Sequence, residues 1–295
     1  MAATNSLLGV NLTAIAQETA KTLLPKLQGL KNFTLDLSND IAERGAAVVT
    51  RVVTSYTAQD LSSGYATAVS NTTTTSITVT LDTFSGLVLD FSDAEMSKAS
   101  VDLNRMVYQP FANAATKCVY DKVFALLLNA NFSQVTTVAA ASFDSDALSD
   151  LTSVLNKAFV LDSPRTFIGN SDVFNALRKD SSFKAAYAQG TNQTIVGGII
   201  ARGMGFDMME IPWLPTNSQN LIGFGTGQQG IAIAARRVND PQNWYGMVEN
   251  ITVADVPIQF RAWYDGNAGL HYISMGVLFG VATAVSNNVV MVHSA

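Results

Sequence analysis

Two histidines, one cysteine and one glycine-rich turn are the residues of this chain whose types suit them for chemistry. His271 and His293 both fall in Gly266–Ala295, a stretch without a single Asp, Glu, Lys or Arg. A histidine base must sit within hydrogen-bond reach of a nucleophile and be oriented by a third group. Asp255 and Asp265 are near in sequence, but no G-x-S-x-G motif supplies an activated serine. Both histidines therefore read as structural or exposed. Cys118 stands alone, which excludes an internal disulfide and any all-cysteine metal site. Asp90, Asp93 and Glu95, like Asp207 and Glu210, read as solvated charges or helix caps. Walker A, H-E-x-x-H and EF-hand spacings are absent. No catalytic, cofactor-binding or metal-ligating residue is assigned.

Gly225-Thr-Gly227-Gln-Gln-Gly230 matches G-x-G-x-x-G, and Glu249 lies further along. Dinucleotide binding needs a crossover helix next, with its N-terminus facing the pyrophosphate. Ile231-Ala-Ile-Ala-Ala-Arg-Arg-Val238 instead alternates at its start and soon meets Pro241, which favours a strand. The expected structure is a hairpin turn between two short strands. A dinucleotide-dependent enzyme using Gly225–Gly230 remains the weaker reading.

Composition narrows the class. The chain has 295 residues and a net charge of −5, so nothing pulls it globally toward nucleic acid or an anionic membrane. Charged residues make up 14%, against about 25% in ordinary domains. A compact monomer of this mass exposes about 12,000 Å², so its surface would carry about half the usual charge density. Either partners cover much of that surface or the protein is a poorly charged secreted type, and composition favours assembly. Met1–Ala20 has no positive n-region, and Ile273–Val285 is too short and too interrupted to span a membrane. The Asn-x-Ser/Thr triplets carry little weight without a secretory signal.

The elements follow from patterning. Residues 1–44 read as an arm, with an amphipathic helix through Leu12, Ile15, Ala16, Leu23 and Leu27 that Pro25 disturbs. Ala46–Thr54 is β-branched, and Ile77–Leu81 alternates with period two. The polar stretch Ser55–Ser76 between them predicts a long hairpin, or else a disordered loop, and a long hairpin reaches for something outside itself. Ser92-x-x-Glu95 is a capping box. Helix follows from Asp93 to Asn129, and Pro110 is expected to interrupt or restart it. Phe111–Asn129 then spans about 28 Å, with Ala115, Cys118, Val119, Val123, Leu126 and Leu127 on its apolar stripe. From Ser133 the pattern becomes α/β, with strands expected at Val135–Ala139 and Arg165–Gly169. Helices are expected near Asp144 or Asp146 and from Ser171 to Leu177. Residues 188–230 read as glycine-rich loop, and short strands follow at Ile231–Ala235, Ile251–Val253, Ile258–Tyr264 and from Leu270 onward.

That order resembles the major capsid proteins of tailed bacteriophages, the Hong Kong 97-type fold. Phe91-Ser-Asp-Ala-Glu95 with Val101-Asp-Leu103 is similar to the family's junction from extended loop into spine helix. Ser163–Gly169 with Val173–Leu177 resembles the opening of the axial domain. Gly198 and Gly205-Phe206, running to Ile211-Pro-Trp-Leu-Pro215, are similar to the glycine-rich stretch before a proline-bearing strand. Gln229–Ala235 looks like the strand that precedes the return to the peripheral domain.

The resemblance implies an α+β fold with five segments. These are an N-terminal arm (1–44), an extended hairpin loop (45–92), a peripheral domain with the spine helix (93–139), an axial α/β domain (140–250) and C-terminal strands returning to the peripheral domain (251–295). It implies a non-enzymatic, cofactor-free subunit that self-assembles as hexamers and pentamers into an icosahedral head around double-stranded DNA, with no membrane. Scaffolding, portal and decoration proteins would be separate chains, and assembly would occur in the bacterial cytoplasm. Any scaffolding prodomain would have been removed or replaced by another protein. An encapsulin-like compartment shell is the alternative of the same fold. No lysine occurs between Lys31 and Lys98, so the hairpin cannot supply one for the isopeptide cross-links of some relatives.

Overall fold

The computed structural model describes residues 12–37, 47–53, 62, 74–98, 103–160, 165–184, 200, 202–240 and 246–295. Its strands form two six-stranded sheets and one two-stranded ribbon.

Helix α1 (Leu12–Leu27) places Leu12, Ile15, Ala16, Thr19, Leu23 and Leu27 on one buried stripe. Pro25 lies on the exposed side near the helix end, where its missing N–H forfeits one bond, and the chain tightens into a 3-10 turn over Gln28–Asn32. Residues 12–27, expected within an arm, are instead a core helix. They pack against α3 (Leu103–Phe124) and β11 (Met247–Val253).

The capping box is complete. The Ser92 N–H donates to Glu95 Oε2 at 2.9 Å and the Glu95 N–H donates to Ser92 Oγ at 3.2 Å, opening α2 (Asp93–Lys98). The break expected at Pro110 is absent: α3 runs through it for 22 residues, about 33 Å. Pro110 itself is exposed, and its missing N–H forfeits one bond of the helix. The helix ends at Phe124, short of Asn129, because Asn217 Nδ2 donates to the carbonyls of Phe124 and Leu127 at 2.8 Å each.

The larger sheet has the order β1 (Thr34–Asp36), β10 (Ile231–Arg236), β13 (Leu270–Thr283), β12 (Val256–Asp265), β11. Residues 270–277 of β13 pair with both β12 and β4 (Thr83–Ser92), so β4 takes the opposite edge of β13. One face is mostly apolar. Leu87, Leu89 and Phe91 of β4 join Ile273, Met275 and Val277 of β13 and Ile258, Phe260 and Ala262 of β12. They close over α1 and over the Val107, Phe111, Ala115, Val119 and Val123 stripe of α3, with Phe111 and Phe260 edge to face at 6.0 Å.

The second sheet has the order β5 (Val135–Thr137), β14 (Val289–His293), β9 (Leu221–Thr226), β6 (Arg165–Gly169), β8 (Phe206–Glu210), β7 (Arg202–Gly203). Helices α4 (Ser145–Lys157) and α5 (Ser171–Lys179) cover one face through Leu148, Leu151, Leu155, Val173 and Leu177. Asp144 caps α4 by accepting from the Ala147 N–H at 3.0 Å, and Asn170 caps α5 the same way through Val173. The other face joins the first core, where Phe224 meets Phe33 and Phe124 edge to face at 6.1 and 6.0 Å.

Strand pairing redraws the expected segments. Residues 83–92, grouped with the hairpin, belong to the larger sheet, as do 231–236 and 247–253, grouped with the axial segment. Residues 289–293, expected to return to the peripheral domain, lie in the second sheet beside β5 and β9. The stretch expected to be loop over 188–230 contains β8, which pairs parallel to β6.

Candidate assembly surfaces

No catalytic constellation forms around the histidines. His271 Nε2 lies 2.9 Å from Asp93 Oδ1, and Tyr264 Oη donates to Asp93 Oδ2 at 2.8 Å. The Asp93 N–H also donates to the Gly269 carbonyl, so this cluster fastens the start of α2 to the β12–β13 turn. The bond to Asp93 pushes the Tyr264 phenol up, away from any role as a base. His293 is buried in β14, and burial pulls its imidazole down. Asp265 accepts from the Asn267 N–H at 2.9 Å, while Asp255 pairs with Lys31. Glu210 pairs with Arg178, and Asp207 with Arg202 at 3.4 Å. Cys118 is half-buried on α3, and burial raises its thiol away from the reactive thiolate. Among the described residues, no three His, Cys, Asp or Glu side chains converge on a metal position, and no helix is long and apolar enough to cross a membrane.

The glycine motif links two sheets. β9 and β10 flank it but do not pair, so the expected hairpin is corrected to a crossover from the second sheet to the larger one. A Cβ on Gly227 would fall 2.3 Å from Val160, and one on Gly230 would fall 2.6 Å from Val289. The Gly227 N–H donates to the Asn288 carbonyl at 2.8 Å. These glycines admit neighbouring chain, and a strand follows where a dinucleotide site needs a helix.

Among the described residues one sheet face stays partly open. β2 (Ala47–Val53) and β3 (Thr74–Thr80) form the expected ribbon, with Val53 opposite Thr74. Its tip, 54–73, lies outside the described residues except Ser62. At its base, Val48, Ile77 and Val79 bury against Ala232 and Ala234 on the outer face of the larger sheet. Beyond that cover the same face is exposed. Phe84 and Val88 of β4 are 63% and 56% solvent-accessible, beside a groove of about 420 Å³ walled by Gln259, Arg261 and Trp263. Gly86 lies opposite Gly276 at the groove floor, and a Cβ on Gly86 would meet the Met275 carbonyl oxygen at 1.8 Å. Trp263 stacks on Tyr272 at 5.1 Å. Sequence reasoning missed this surface. The signal available was the run Phe84 to Phe91, apolar at positions of both parities, which marks a strand with two faces to cover.

A long helix along one face of a sheet, a ribbon reaching over the other and an attached α/β lobe together define the class: a shell subunit of the Hong Kong 97 type. The chain belongs to the phage capsid protein family, whose model matches residues 73–275, and it is a major capsid protein of a phage head. Similar solved structures include one from Mycobacterium phage Che8, at 18% identity and TM-score 0.62 over 88% of each chain. The capsid of cyanophage P-SCSP1u matches at 10% identity and TM-score 0.64, over 90% of this chain and 88% of that one. The cyanophage Pam1 capsid matches at 11% and 0.60, over 88% and 87%. At such identities the likeness is one of fold. No curated protein matches the sequence.

Proposed function

We propose that many copies of this chain close as hexamers and pentamers into an icosahedral head around double-stranded DNA, with separate scaffold, portal and decoration proteins, in the bacterial cytoplasm. The role is assembly, not catalysis. The α/β lobe forms the axial domain at capsomer centres. The larger sheet with α3 forms the peripheral domain, and the ribbon crosses to a neighbouring subunit. The observation that carries this reading is the larger sheet's outer face, which the chain's own ribbon base covers at one end and leaves apolar and open at the other. Symmetric repetition makes many modest contacts sum.

Negative-stain microscopy and sedimentation of the full chain test it. Closed particles or capsomers are expected, with DNA rather than cargo enzyme inside particles from infected cells. A stable 31 kDa species under all conditions overturns the reading. Replacing residues 54–73 by a short Gly-Ser turn is expected to leave the subunit folded and abolish correct shells. The shells are held without covalent links, because residues 32–97 contain no lysine. Arg51 cannot substitute, since a guanidinium stays protonated. Particles boiled in detergent without reductant are expected to run as a single 31 kDa band, and a reductant-resistant ladder contradicts this.

A further inference from the structure

Helix α4 ends in a Schellman motif: the Val160 N–H donates to the Leu155 carbonyl and the Phe159 N–H to the Asn156 carbonyl, both at 3.0 Å. The motif puts its C′ residue in the left-handed region, where glycine is usual. Here that residue is Phe159, at φ 62. A bulky side chain at such a φ strains the backbone, and the strain persists only where surrounding bonds fix the turn. They do so here, because the buried Arg165 guanidinium donates to Asn156 Oδ1 and to the Val160 carbonyl. Among the described residues the strain serves no packing, because Phe159 is 83% exposed and the neighbouring Val160 makes the contact with the core.

A receptor lies at the far end of the same sheet. β6 and β8 run parallel, from Arg165 beside Phe206 to Gly169 beside Glu210. Phe159 precedes their starts. Past their ends opens a cleft of about 560 Å³ walled by Pro25, Tyr120, Met209, Ile211 and the exposed Trp213, with Lys26 and Lys117 also lining it. Lys26 donates to Asn113, Lys117 pairs with Asp121 and Glu210 also lines the cleft, so it is the apolar walls that suit an aromatic ring. The strand Arg165–Gly169 is about 17 Å long; the Arg165 guanidinium bonds the Val160 carbonyl at its start and the cleft opens beyond its end.

We propose that Phe159 is an intersubunit knob that enters the Trp213 cleft of an adjacent copy of this chain. This rests on the shell reading above. Knob and cleft on opposite ends make the contact head to tail, which closes into a ring when the rotation per copy is right. One phenyl ring buries about 200 Å², far below the roughly 1,600 Å² of a stable pairwise interface. The contact therefore sets register among neighbours that other surfaces hold together.

Phe159→Gly separates this role from a local one. It relieves the left-handed strain, so the subunit is expected to melt a few degrees higher, yet particle yield falls at least tenfold. Phe159→Ala keeps the strain and loses the ring, so it lowers the yield without the gain in melting temperature. In particles carrying both Phe159→Cys and Trp213→Cys, a short bis-maleimide gives a ladder of covalent multimers that neither single variant shows. Wild-type yield from Phe159→Gly, or no ladder from the double variant, overturns the knob and leaves the shell reading intact. Failure of the wild-type chain itself to assemble overturns both.

Discussion

The two faces of the larger sheet carry similar side chains to different ends. On the inner face, Met275 and Phe260 are buried, and Leu87 and Leu89 partly so, in the core that α1 and α3 share. On the outer face, Phe84 and Val88 of β4 stay exposed, while among the described residues the ribbon base and Leu37 cover the region around Ala232 and Ala234. Hydrophobicity alone does not say which apolar residues hold a subunit together, since a strand alternates its side chains between both faces. What separates them is whether the chain supplies its own cover. The helices supply it for one face. For the other, the described residues cover one end only and leave Phe84 and Val88 exposed, the kind of patch on which another surface can dock.

Truncating one residue on each side of that divide gives the sharpest test. Phe224 is fully buried where the second sheet meets the first core, against Phe33 and Phe124. Phe224→Ala is expected to cost about 3–5 kcal/mol, a large share of a domain's stability, and to be seen as loss of soluble folded subunit. By contrast, Phe84→Ser with Val88→Ser is expected to shift urea unfolding of the isolated subunit by about 0.5 kcal/mol or less per site while reducing assembly. Equal destabilisation by the two sets would erase the distinction between the faces.

A smaller effect tests how the strand that owns both faces is anchored. Ser92 ends β4 and caps α2, and its reciprocal bonds with Glu95 hold that carboxyl below its usual range. Ser92→Ala is expected to cost about 1 kcal/mol, read by urea unfolding, and Ser92→Asp to recover most of it.

Much of this was legible in the sequence because local rules were decisive there. The capping box, the helix start near Asp144, the ribbon strands and strand Arg165–Gly169 all depend on residues close in the chain. Three features were not legible. Pro110 breaks helices by rule, but here it falls on an exposed side of α3, where one lost bond is tolerated. Strand β4 has no polar and apolar alternation, because both its parities are apolar for different reasons. Strands β9 and β10 look like a hairpin from their spacing, yet each pairs with strands distant in sequence. The assembly surface falls in the same blind spot, since its residues carry no motif and are distinguished only by what fails to cover them.

The smallest effect concerns protons and falls on the closed side of the divide. His293 is buried in β14, and Nε2 has no hydrogen-bond partner in the structure. Burial disfavours the charged imidazolium, so the folded-state value lies below the ordinary 6.5. The unfolded chain therefore binds its proton first as pH falls, and this group's contribution to stability is present above the unfolded value and lost below it. The stability of the subunit is expected to decline from about pH 6.5 downward through this residue, in addition to any carboxylate effect at lower pH. His293→Gln keeps a side chain able to hydrogen-bond but removes the titration. The difference in unfolding free energy between variant and wild type should then move in the variant's favour between pH 7 and pH 5. A difference that stays constant over that interval would mean that His293 is solvated in the folded subunit and that the second sheet opens there more than its packing implies.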